Sequence, residues 1–246
     1  IPKVVLNQFV DSYSVGVYAA TTTLVNLISL IQTGVNLFWN PFVFSNYRDK
    51  QSEIQKVHLV VTFCMTAGGL MLILFQNVLF LLLGDAYRQG SAILGLLAAS
   101  PIFYTIGETL GIGINIAKKT YWNILVVGMA LACNLVACRL LVPSIGLRGA
   151  AYGVMLSAGL MLVVKAWIGE RYYKVVTSPL KTAFAPIVYA AAAILSSIYV
   201  ESPALRTALT LALFAVLCLV FANEVKEILG FGREQVSRLL HKQMQS

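Results

Sequence analysis

Apolar residues come along this chain in runs of about 20, the length of helix that crosses a bilayer core of about 30 Å. After an apolar stretch at residues 1–10, the pattern predicts hydrophobic helices at 15–38, 59–83, 90–117, 121–142, 149–168, 182–200 and 204–222. That is a stub and seven spans. None of the runs alternates like the strands of an outer-membrane barrel, and an open sheet edge has no place in hydrocarbon. The predicted class is therefore all-α, a polytopic transmembrane helix bundle.

The segments between the runs, at 46–56, 84–89, 118–120, 143–148, 169–181 and 201–203, carry turn chemistry. All are too short for an extramembrane catalytic domain. Pro101 and Pro186 fall inside runs, where each kinks its helix or marks a first turn. Beyond residue 222 the pattern changes. Val225, Ile228, Leu229, Val236, Leu239 and Leu240 recur at helical spacing opposite Arg238, His241 and Lys242, with Gly230 and Gly232 between. Residues 1–222 are thus expected to form the transmembrane unit, and 223–246 an amphipathic tail along the cytoplasmic membrane surface.

Composition removes the soluble alternatives. Of 246 residues, 59% are hydrophobic and 11% charged, against roughly 25% charged in a soluble domain. The net charge of +8 raises the question of nucleic acid, but the cations fall in alternate loops. With strict alternation, one side holds Arg48, Lys50, Lys56, Lys118, Lys119, Arg171, Lys174, Lys181, Lys226, Arg233, Arg238 and Lys242. The other holds Arg88, Arg148 and Arg206, while Lys3, Arg139 and Lys165 lie within apolar runs. The positive-inside rule makes the twelve-charge side cytoplasmic, with the first full helix running inward and the C-terminus in the cytoplasm of a bacterial-type inner membrane. A nucleic-acid partner is not expected.

Cys64, Cys133, Cys138 and Cys218 sit within apolar runs, without zinc or disulfide spacing, and read as small core residues. There is no secretory signal and no internal repeat. The chain begins Ile1-Pro2-Lys3, already apolar and without a starting methionine, which predicts a fragment of a longer protein.

Polar residues inside the spans are the candidates for chemistry. Thr22, Asn26, Ser29, Thr33, Asn36 and Asn40 follow steps of three and four, which set all six on one stripe of the first helix. Lipid does not retain such a stripe, so it either bonds to another helix or walls a hydrated path. Glu108 lies in the third run, with Tyr104, Asn115 and Lys119 on a common face. An ionisable group there must be paired, protonated or hydrated: it is a buried structural carboxyl or a contact for a proton, cation or substrate. Gly107 and Gly111 form a small-xxx-small pair that favours close helix packing.

Arg139, near the outer end of the fourth run, either lifts its guanidinium to the interface or grips an anion with its planar fork of donors. Lys3 is the other deep cation, and Lys165 lies close enough to the cytoplasmic end to snorkel. Enzyme signatures are lacking: His58 and His241 lie far apart, and neither a phosphate-binding loop nor paired carboxylates occur. No catalytic residue, cofactor or metal is expected.

Several segments together resemble one family. They are Asp11-Ser12-Tyr13-Ser14-Val15-Gly16-Val17-Tyr18-Ala19-Ala20, Asn40-Pro41-Phe42, Gly84-Asp85-Ala86-Tyr87, Ala117-Lys118-Lys119-Thr120 and Val142-Pro143-Ser144-Ile145-Gly146-Leu147-Arg148-Gly149-Ala150-Ala151. In order and spacing, from about Asp11 to Ser157, they look like the C-terminal half of the polysaccharide-export flippases. These form the oligosaccharide-lipid branch of the multidrug/oligosaccharidyl-lipid/polysaccharide superfamily. The last two helices resemble those of its fourteen-helix members.

The resemblance implies one lobe of a two-lobed, alternating-access transporter whose N-terminal lobe is absent from this chain. Its substrate would be a polyprenyl-pyrophosphate-linked oligosaccharide, moved from the cytoplasmic to the outer leaflet for surface polysaccharide biosynthesis. The asparagine stripe and Arg139 or Lys3 would serve the sugar and the pyrophosphate. Glu108 would repel a pyrophosphate unless protonated or coupled to an ion, which keeps a cation-coupled multidrug antiporter as an alternative. A noncatalytic membrane scaffold is the third.

Overall fold

In the computed structural model of the chain the described residues are 11–226, so the stub with Lys3 and most of the tail lie outside them. Every regular element among the described residues is helical: α1 (Ser12–Asn46), α2 (Gln51–Leu83), a 3₁₀ turn (Asp85–Gly90), α3 (Ser91–Leu110), the short α4 (Ile112–Ile116), α5 (Tyr121–Tyr172), α6 (Pro179–Ile198) and α7 (Pro203–Val220). Six of these helices are long and apolar enough to cross a membrane. The chain is thus an all-α, multi-pass membrane bundle.

The fourth and fifth predicted spans are both found in α5. Its 52 residues would extend about 78 Å if straight, far more than one crossing needs. The helix is instead broken at Ile145 (φ −130°, ψ 16°) and Gly146 (φ 55°, ψ −129°), the latter in the left-handed region that glycine alone enters cheaply. Across the break the arms run back along each other. The Asn134 amide donates to the Ser157 hydroxyl at 3.3 Å and the Trp122 indole to the Tyr172 hydroxyl at 3.3 Å. A Cβ on Gly149 would meet the Leu141 carbonyl oxygen at 2.4 Å, and one on Gly153 the Cys138 sulfur at 2.9 Å. These pairs close on the break from both sides, so α5 is an antiparallel hairpin whose two arms match the fourth and fifth predicted spans.

The first two helices run past the limits expected from the sequence. α1 runs on through Pro41 to Asn46, and α2 starts at Gln51 rather than 59, which shrinks the connection between them to a few residues. Hydropathy marks where lipid ends, but a helix continues until its backbone bonding is interrupted. Conversely, the predicted third run is divided at Gly111, where α3 gives way to α4.

α3 is the axis of the bundle, packed against α1, α2, α5 and α6, while α7 rests outside on α2 and α6. Cross-links gather the loops at two ends. At one, the side-chain amides of Gln51 and Gln55 donate to the Lys174 carbonyl at 2.9 and 3.2 Å, and the Tyr173 hydroxyl to the Tyr47 carbonyl at 3.1 Å. Lys181 pairs with Glu224 there at 2.8 Å. At the other, the Tyr13 hydroxyl donates to the Ala86 carbonyl. Nine of the twelve loop cations assigned to one side fall among the described residues, on segments at the first of these ends.

Candidate functional site

Seventeen of the twenty residues of α3 are buried. The three that are not, Ser100, Tyr104 and Glu108, follow at steps of four and so form one line along the helix. Close approach by the second arm of α5 determines what lies beside that line. A Cβ on Gly107 would stand 3.6 Å from the Leu162 Cα, one on Gly111 3.1 Å from the Lys165 side chain, and one on Gly169 only 2.2 Å from the Leu110 carbonyl oxygen. This glycine-lined contact delivers Lys165 to Glu108.

The Lys165 ammonium donates to Glu108 Oε1 and stands 5.4 Å from the centroid of the Tyr104 ring. Its side chain is 4% exposed and that of Glu108 22%, so the carboxylate is the more open member of the pair. The pairing corrects the expectation that Lys165 snorkels: it is buried and neutralises the one carboxylate set deep in a span. The clue in the sequence was Glu108 itself, because an acid in hydrocarbon demands a cation at similar depth.

Beside the line, Ser100, Tyr104, Asn134 and Ser157 give a polar lining to a groove of about 290 Å³ between α3 and the α5 hairpin, closed by Leu131 and Met161. The α1 stripe lies on a different helix. Tyr18 is buried in the same cluster as Cys138 and Val142 of α5, and Thr22, Asn26 and Ser29 continue that side of α1 at helical spacing. Thr22, Ser29 and Asn36 are half-buried, while Asn26, Thr33 and Asn40 are exposed. The Thr22 and Thr33 hydroxyls bond back to the carbonyls of Tyr18 (2.8 Å) and Ser29 (2.9 Å), so this part of the stripe is satisfied without another helix.

Other predicted positions are not brought there. Asn115 lies beyond the Gly111 break and accepts from the Asn123 amide at 3.0 Å, fastening the corner between α4 and α5. Lys119 stands 4.8 Å from the centroid of the Tyr172 ring. Arg139 is exposed, on the side of α5 turned away from buried Asn134, Ala137 and Cys138. Lys3 lies outside the described residues.

The structure adds polar contacts that the sequence did not single out. His58 is fully buried, with Nδ1 2.8 Å from the Thr109 hydroxyl and Nε2 3.4 Å from that of Thr182. Because Thr109 donates to the Ile106 carbonyl at 2.7 Å, Nδ1 is the donor to it and Nε2 the acceptor from Thr182. The imidazole thereby ties α2, α3 and α6 together. Gln76 donates to Ser196 at 3.0 Å in the same seam. Among the described residues no cluster of three His, Cys, Asp or Glu is placed to hold a metal ion.

No family model matches the chain, and no solved structure does. The chain is 26% identical over 179 residues to the capsular polysaccharide biosynthesis protein CapF of Staphylococcus aureus, a match covering 70% of this chain and 45% of that protein. The chain therefore spans about half the length of the curated relative it matches.

Proposed function

We propose that this chain is the C-terminal lobe of a two-lobed membrane transporter that moves a polyprenyl-pyrophosphate-linked oligosaccharide from the cytoplasmic to the outer leaflet, serving surface polysaccharide biosynthesis. The observation that carries the reading is the uncovered polar side of the lobe. Among the described residues no helix closes over the whole α1 stripe, whose Asn26, Thr33 and Asn40 are exposed, and Glu108 and Tyr104 occupy, with Ser100, the only unburied line of α3. A sugar needs such hydrogen-bonding walls, while its lipid tail stays in the bilayer. The relative's name, which concerns capsular polysaccharide, supports the substrate class.

In this reading a second lobe, from the part of the protein that precedes this chain, faces the stripe, and rocking of the two lobes alternates access to a site near the midplane. No chemical step is required, and so neither catalytic residue nor cofactor. The excess of cations at one end supports a cytoplasmic position for that end and for the C-terminus in this reading. Within this lobe Arg139 is turned from the groove, which leaves Lys3 and cations of the other lobe to hold the pyrophosphate in this reading.

The test is Asn26, Thr33 and Asn36 replaced together by leucine in the full-length protein. The variant inserts normally but lets lipid-linked sugar accumulate in the cytoplasmic leaflet; normal surface polysaccharide would remove the stripe from the path. The partly exposed Glu108 carboxylate favours one rival, a cation-coupled drug antiporter. Loss of cationic dye efflux in Glu108→Gln, with polysaccharide intact, would select it.

A further inference from the structure

Arg206 stands in the first turns of α7, in an otherwise apolar helix, and is 3% exposed. Its Nη2 donates to Asn77 Oδ1, but its buried Nη1 has no hydrogen-bond partner. A buried guanidinium with an unused donor is costly unless an acceptor completes it. Beside it opens a cavity of about 490 Å³ lined by Asn77, Val78, Leu81, Arg88, Ser91 and Arg206 among others, with no acidic residue in the lining. The sequence places Arg88 and Arg206 in different loops; the fold sets both on one cavity.

We infer that this cavity, at the end opposite the basic loops, is a binding pocket for the phosphodiester headgroup of a membrane lipid. The guanidinium fork suits phosphate oxygens. The amide groups at the start of α7, where Pro203 occupies the first turn, add positive potential from the same side. The apolar part of the lining separates a lipid from a free anion. Val78 and Leu81 are 54% and 67% exposed on a membrane-length helix, so the wall that flanks the phosphate is one that acyl chains already touch. Asn77 lies six residues before the end of α2, about 9 Å along the axis, the depth at which a headgroup meets hydrocarbon. The inference is independent of what the protein transports.

The experiment follows the thermal stability of the detergent-purified full-length protein during titration with dioctanoyl phosphatidylglycerol, dioctanoylglycerol or inorganic phosphate. The phospholipid raises Tm saturably, and the other two do not. Arg206→Gln weakens the apparent affinity about tenfold or more. Leu81→Trp, which fills the cavity from its exposed wall, does the same and carries the test if Arg206→Gln fails to fold. An equal shift with dioctanoylglycerol, or an undiminished phospholipid response in Leu81→Trp, would overturn the pocket. A full shift from inorganic phosphate alone would overturn its assignment to lipid.

Discussion

α3 and α7 are both apolar helices of membrane length, yet seventeen of twenty residues are buried in the first and three of eighteen in the second. Hydropathy does not separate them, since lipid tails are as apolar as a protein core. Glycine does. α3 contains Gly95 and Gly107 and is flanked by Gly90 and Gly111, and at these positions neighbouring side chains or backbone come within about a side-chain atom's reach. α7 has no glycine and packs against only α2 and α6. Each helix also holds one buried or half-buried charge, and the difference extends to these. Glu108 on α3 meets a full counter-ion from α5, whereas Arg206 on α7 meets a single neutral amide from α2. A helix enclosed on four sides is offered a partner of any chemistry; one at the margin is left with unused donors.

The strongest test of this comparison enlarges a glycine at the α3 contact. Gly169→Leu would drive a side chain into the Leu110 carbonyl, and because the obstacle is backbone the cost exceeds the usual 1–3 kcal/mol or so of overpacking. Monodisperse protein should vanish from size-exclusion profiles. A normal peak would mean that glycine contacts are not what makes α3 the axis.

Next in size is the ion pair. Removing one partner of a buried pair costs about 3–5 kcal/mol, and Glu108→Leu should be worse than Lys165→Met because it strands the less exposed group. The double variant should recover most of the loss in Tm. Two additive losses would show that the groups do not act as a pair.

His58→Leu should cost about 1 kcal/mol, since interhelical hydrogen bonds in membranes average about 0.6 kcal/mol and rarely exceed 1.7 kcal/mol. Denaturation in mixed micelles resolves this against wild type. At the other extreme Leu211→Ala, at an exposed site of α7, should shift stability by no more than about 0.5 kcal/mol. A larger loss would place an undescribed partner against α7 and undo the contrast.

Much of the architecture was legible beforehand. The seven apolar runs all fall on helices among the described residues, six of those helices being long enough to cross a membrane, with the fourth and fifth runs sharing one. Alternating loop charge matched the connections that share an end, because bilayer thickness and helix rise leave little freedom. The α1 stripe was legible too, as a breach of that apolar rule. The pairing of Glu108 with Lys165 was not. Its two members are 57 residues apart, and hydropathy sees Lys165 only as a cation near a helix end. Nor did periodicity distinguish Arg139, turned outward, from Arg206, turned inward.

The sequence by itself therefore determined the class, the apolar runs that become helices and the polar residues that lipid would not keep, all consequences of transferring one helix at a time into hydrocarbon. The tertiary structure alone decided that α3 is the axis, and that Lys165 reaches Glu108 while Arg206 reaches Asn77. Those outcomes depend on which surfaces approach closely enough to exclude lipid, and small facing residues on separate helices settle that only when the helices have met.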